Sequence, residues 1–287
     1  MTRELPDFVV IGSPRCGTTS LYHLLQQVPQ ICLTDFKESD YFIEELNFSK
    51  GAEWYDGLFP DPEKVCGDIS PNYSSYGKFN GVPERLFAKA PNAKIFYVVR
   101  DTAQRTRSHY QQLWTQTQDM PDPADVFDTA IGKHILECSS YMFQIEAYLQ
   151  FFPKDRIHIL RFEDLKERPK EVVETVCNAL EIEIIEAELA AVSAENRNSS
   201  QDLADAADWW QAIAHRMRRS NSAIVRRATK MVPRSVLNGL KATIARKSAE
   251  KRVLPAFTAE IDALVADRLA ADQVAFEAFL TQIETPN

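Results

Sequence analysis

Little in this 287-residue chain suggests a metal centre, a disulfide scaffold or a secreted protein. Its five cysteines, Cys16, Cys32, Cys66, Cys138 and Cys177, are odd in number and scattered, with no Cys-x-x-Cys pair and no histidine grouping that would suggest zinc. That pattern speaks against zinc and disulfides and predicts reduced, mostly buried thiols. A leading apolar segment is also missing. Residues 1–7 are short and mixed, so neither a signal peptide nor a membrane anchor is expected, and the expected location is cytoplasmic. The chain has no excess of positive charge either: at −8 its formal charge argues against a general nucleic-acid partner. No repeat or low-complexity tract interrupts a composition that is 45% hydrophobic and 26% charged, enough to bury the core of one large α/β domain.

What is present centres on Phe8-Val9-Val10-Ile11-Gly12-Ser13-Pro14-Arg15-Cys16-Gly17-Thr18-Thr19-Ser20-Leu21. A short β-branched run punctuated by Gly12, Pro14 and Gly17 reads as a buried strand entering a tight loop, followed by a helix through Tyr22, Leu24 and Leu25. The first N–H groups of a helix have no partner inside it and lie at the positive end of its dipole, so such a loop collects an anion. Thr18, Thr19 and Ser20 add hydroxyl donors there. The spacing is the Gly-x4-Gly of a P-loop, yet Thr18 stands where the nucleoside-triphosphate version needs lysine, and the nearby cation is Arg15. One 5′-phosphate suits this loop better than a triphosphate. A phosphatase nucleophile at Cys16 is excluded, because Cys-x5-Arg would need arginine where Tyr22 stands. Arg15 and the helix N-terminus are expected to favour a Cys16 thiolate, making it the first cysteine to alkylate if solvent reaches it.

Along the chain, apolar segments at 31–33, 65–69, 93–99 and 156–162 read as strands, and helical spacing falls between them. Strand and helix in alternation imply a parallel sheet with right-handed crossovers. The expected fold is therefore α/β, a P-loop-type three-layer architecture with a central, mostly parallel sheet flanked by helices. A single domain over 1–287 is expected, with a nucleotide-binding core to about residue 185 and a helical part over 186–287 that includes helices at 203–230 and 257–280. Two further spots bear charge at strand ends. Lys37 and Glu38 begin a turn or helix after the second strand, either as a catalytic acid–base pair or as a solvated ion pair. Arg100 ends the 93–99 strand, Asp101 caps the next helix with Gln104 three residues on, and Ser108 lies about two turns along. Arg100 and Ser108 make either a second anion site or a simple satisfaction of backbone ends. From Trp209 to Arg252 the charges are positive except at Glu250, and residues 216–252 could face an anionic ligand, a membrane surface or only solvent.

Taken together, Pro14-Arg15-Cys16-Gly17-Thr18-Thr19-Ser20-Leu21, Lys37-Glu38-x-x-Tyr41-Phe42, Ser70-Pro71-x-Tyr73 and Arg100-Asp101-x-x-x-Arg105-x-x-Ser108-His109-Tyr110 resemble sulfotransferases that use 3′-phosphoadenosine 5′-phosphosulfate (PAPS). The likeness is greatest to the branch with heparan sulfate and bacterial enzymes, over about the first 180 residues. It implies a loop from Pro14 to Ser20 that binds the 5′-phosphosulfate, Arg100 and Ser108 on the 3′-phosphate, and Glu38 as general base. Arg15 and Lys37 would neutralise the transferring group, no metal would be required, and the acceptor would bear a hydroxyl on a carbohydrate, lipid or small molecule. Two positions depart from the family pattern: Arg15 stands where many relatives carry lysine, and Ile69 follows Asp68 where animal enzymes carry lysine. The first keeps the charge; the second removes a cation near the acceptor. The competing readings are a P-loop kinase and a non-catalytic nucleotide- or membrane-binding module.

Overall fold

The computed structural model describes residues 4–117, 119–192 and 253–284. By contacts the chain divides into one unit of Met1–Ala194 with Pro255–Asn287 and another of Glu195–Leu254. All elements named below lie in the first. The expected helix at 203–230 and the basic stretch 216–252 with its membrane reading lie outside the described residues.

Five strands, β1 (Phe8–Gly12), β2 (Ile31–Leu33), β3 (Val65–Ile69), β4 (Lys94–Val99) and β5 (Ile157–Arg161), form one sheet in the order β2-β3-β1-β4-β5. Every pairing is parallel. Side chains alternate across a strand, so β1 and β4 each feed two cores. Val9, Ile11, Ile95, Tyr97 and Val99 face one core, and Phe8, Val10, Phe96 and Val98 the other. The first is covered by α3 (Val82–Lys89), α7 (Tyr141–Leu149) and α11 (Ala259–Glu284), through Leu86, Ile145, Tyr148, Phe276 and Phe279. The second is covered by α1 (Thr18–Leu25) and α9 (Pro169–Ala179), through Leu21, Leu25, Val173 and Val176. Each such side chain, fully buried, contributes about 1.5 to 3 kcal/mol. The result is the expected three-layer α/β fold.

The chain leaves β1 toward β2 on one side and later crosses to β4 on the other, which makes the β1–β4 junction the switch point where ligands of open parallel sheets settle. At the ends of those two strands lie the Gly12–Gly17 loop and Arg100. Downstream of β4 come α4 (Thr102–Gln116) and α6 (Ala130–Glu137), with a short α5 (Pro123–Val126) between them. A six-residue α8 (Phe162–Glu167) begins where β5 stops. The C-terminal α11 buttresses this side: Asp272 accepts from the N–H groups of Met142 and Phe143 at the start of α7, and Asp262 pairs with Arg107 of α4 at 2.6 Å. Residues 37–42 are a turn rather than the start of a helix, because Glu38 and Asp40 adopt positive φ of 65° and 47°.

Candidate active site

The phosphate loop takes its shape from two glycines and a neighbour on each side. At Gly12 a Cβ would lie 2.0 Å from the Ser74 hydroxyl, and at Gly17, φ 79°, it would lie 2.8 Å from the Phe162 ring. Only glycine allows these approaches. Gly17 is also the N-cap of α1 and offers no side-chain cap, so the first N–H groups of that helix stay available to a ligand. Around them Thr18 is buried and Thr19 and Ser20 are exposed. Ser13 is wholly buried and donates to the Cys138 carbonyl at 3.2 Å, which roots the loop in the layer beneath. Arg15, φ 72°, turns its guanidinium toward α4, where Nε donates to the Ser108 hydroxyl at 3.1 Å.

The second motif is held as firmly. Asp101 caps α4 by accepting from the Gln104 N–H at 2.8 Å; the Gln104 side chain, instead of closing a capping box, accepts from Arg100 at 3.0 Å. The Arg100 guanidinium lies over the Phe162 ring at 4.6 Å, and its Nε is buried with no hydrogen-bond partner. A buried, unpartnered charged donor beside a phosphate loop fits an anionic ligand. Phe162 thus touches both motifs, packing on Gly17 and under Arg100. Tyr141 does likewise from α7. Its hydroxyl donates to the Arg100 carbonyl at 2.7 Å, accepts from the Arg100 N–H at 3.0 Å, and lies 3.8 Å from the Cys16 thiol.

Lys37 and Glu38 stand at the same sheet edge, beyond β3. The Glu38 N–H donates to the Ile69 carbonyl, and the Ser70 N–H donates to Val10 of β1, so one strand separates the pair from the phosphate loop. Lys37 Nζ meets Glu38 Oε1 at 2.7 Å, with the lysine side chain 16% exposed and the glutamate 45%. Two other carboxylates nearby are enclosed. Asp68 accepts hydrogen bonds from Ser39, Tyr55, Tyr73 and Ser70 at 2.6 to 3.2 Å, and Asp40 accepts from Asn72. Burial raises the Asp68 carboxyl above the usual range, against the pull of those four donors.

Sequence reasoning missed the tasks of Asp68, Arg105 and Tyr141. The signal for the first was an acid inside an otherwise apolar strand, a position tolerated only with donors supplied. Arg105 was part of the Arg100–Tyr110 motif without an assigned task, and Tyr141 carried no local signal beyond helical spacing. The expectation of a reactive Cys16 is corrected: the thiol is wholly buried, and burial pushes it up to about 11 despite the opposing pull of Arg105, Tyr141 and Arg100. Desolvation outweighs the helix dipole there. His109 is buried against Arg105, and burial with that cation holds it down at about 2.

Residues 5–223 match the sulfotransferase domain family. The membrane-associated sulfotransferase kil1 of Dictyostelium discoideum is 25% identical, over 63% of this chain and 57% of that protein. The bifunctional heparan sulfate N-deacetylase/N-sulfotransferase 4 of Mus musculus is 28% identical, over 60% of this chain and 22% of its own. This chain therefore spans little more than half of the first relative and under a quarter of the second. A sulfotransferase structure from Alicyclobacillus acidocaldarius superposes with a TM-score of 0.56 at 20% identity, covering 77% of this chain and 99% of that one, which bears on the fold.

Proposed function

The chain belongs to the sulfotransferase domain family, and on that footing we propose that it moves a sulfuryl group from PAPS to a hydroxyl-bearing acceptor, a carbohydrate, lipid or small molecule. The supporting observation is the 3.1 Å contact between Arg15 and Ser108, which brings the loop for a 5′-phosphate against the motif for a 3′-phosphate, within the reach of one nucleotide. The uncapped N–H groups of α1, with Arg15 and Thr18, would bind the 5′ end, and Arg100 with Ser108 the 3′-phosphate.

In-line transfer leaves negative charge on the departing phosphate oxygen, and donors already aimed there lower the barrier without rearrangement. Glu38 takes the acceptor proton. It is the half-exposed carboxylate at this edge, whereas Asp68 and Asp40 are enclosed by their donors. Lys37, 2.7 Å away, orients Glu38 and faces the transferring oxygens with a cation that Ile69 does not supply. A positioned base of this kind contributes about a hundredfold to ten-thousandfold.

Thermal unfolding with 3′,5′-ADP, AMP, and ATP with magnesium tests the reading. A ligand of the native state raises the melting temperature with its concentration over Kd. The largest shift is expected with 3′,5′-ADP. A larger shift with ATP and magnesium would point to the kinase reading instead.

A further inference from the structure

We propose that Arg105 is the positioning residue of the phosphate loop: from inside the core it sets the Pro14–Arg15 peptide and holds a positive charge, without a carboxylate partner, one hydrogen bond behind the loop. The inference rests on the reading that this loop takes a nucleotide 5′-phosphate.

Arg105 is a wholly buried arginine on α4, the helix that also carries Ser108. Its Nε donates to the Pro14 carbonyl at 3.1 Å, a residue 91 positions away. One terminal nitrogen donates to the Ile135 carbonyl at 2.8 Å and the Ser139 hydroxyl at 2.9 Å, and the other to His109 Nδ1 at 2.9 Å. His109 stays neutral beside it and so accepts. All four partners are uncharged, and among the described residues no carboxylate forms an ion pair with Arg105.

Two physical consequences follow. A trans peptide is planar with its C=O and N–H opposed, so pinning the Pro14 carbonyl toward Arg105 turns the Arg15 N–H to the opposite side. Arg15 itself sits at φ 72°, a conformation that a residue with a side chain keeps only where its surroundings impose it. The bond from Arg105 is such a constraint on the preceding carbonyl. The second consequence is electrostatic. A buried guanidinium stays charged, and burying a charge without a counter-charge is unfavourable, so an anion seated on the loop supplies the compensation that the fold omits. Arg105 acts through the loop and does not need to touch the nucleotide.

The test compares Arg105→Met and Arg105→Lys with the wild-type chain, reading calorimetric Kd for AMP and 3′,5′-ADP and amide hydrogen exchange of the ligand-free protein at residues 15–20. Arg105→Met is expected to weaken both nucleotides by a similar factor, about tenfold to a hundredfold, and to speed exchange in the loop while β4 and β5 stay protected. Arg105→Lys keeps the charge without the fork, so it should regain part of the affinity and leave the loop amides fast. AMP affinity within twofold of wild type in Arg105→Met, or unchanged loop exchange, overturns the proposal. If Arg105→Met does not fold, loop exchange in Arg105→Lys decides in the same way. Should the wild-type chain bind neither nucleotide, the nucleotide reading falls, and the exchange comparison alone decides whether Arg105 positions the loop.

Discussion

Arg15 and Ser108 lie 93 residues apart in the chain and 3.1 Å apart in space, the arginine Nε donating to the serine hydroxyl. The contact crosses the β1–β4 switch point and joins a loop after the first strand to a helix after the fourth. A ligand with two phosphates a ribose apart would meet both. Because α4 also bears Arg105, one helix meets the loop at Arg15 and at Pro14.

Arg100→Ala should weaken 3′,5′-ADP and leave AMP nearly unchanged, since the lost contact is to the 3′-phosphate. A charge-assisted contact contributes about 1.5 to 3 kcal/mol, roughly tenfold to a hundredfold in Kd. Equal losses for both nucleotides would assign Arg100 a structural task, with Phe162 and Gln104 as its partners.

Glu38→Gln keeps the shape and removes the base. Turnover with a sulfuryl acceptor is expected to fall by about two to four powers of ten, with 3′,5′-ADP affinity within a few fold. Near-normal turnover would remove Glu38 from the mechanism. Asp68 is then a poor substitute, because Ser39, Tyr55, Tyr73 and Ser70 already occupy its oxygens.

Acid should destabilise the fold through its histidines. His109 is held at about 2 and His134 at about 4, chiefly by burial, against about 6.5 for an unfolded chain. A base with a depressed native pKa binds protons preferentially when unfolded, so its stabilisation is present above pH 6.5 and is lost as the pH falls below it. For His109 the loss is about 2 kcal/mol between pH 6.5 and 5. His109→Asn retains an acceptor for Arg105 and does not titrate, so urea midpoints at pH 7 and pH 5 should lie closer together in that variant. An unaltered pH dependence would show that His109 is not buried neutral.

Thiol titration of the native protein should proceed slowly at all five cysteines, which are all buried, and rapidly only in urea. One fast equivalent mapped to Cys16, slowed by 3′,5′-ADP, would mean that the loop opens to solvent far more than this structure does.

Residues close in sequence settled much of this protein. The short apolar run of Phe8, Val9, Val10 and Ile11, the glycines at 12 and 17, the missing lysine at 18 and the Asp101 cap are local facts, and local sterics, dipoles and spacing suffice to read a strand, a phosphate loop and the start of α4 from them. Tertiary structure alone decided which groups meet. Cys16 is held up by burial, with the Tyr141 hydroxyl, 125 residues on, 3.8 Å from its thiol; Asp68 is tolerated because four hydroxyls from 39, 55, 70 and 73 converge on it; Arg105 reaches Pro14 across 91 residues. Burial and hydrogen-bond partnership depend on distance in space, which a pattern along the chain does not encode, and for these side chains desolvation outweighs every local preference.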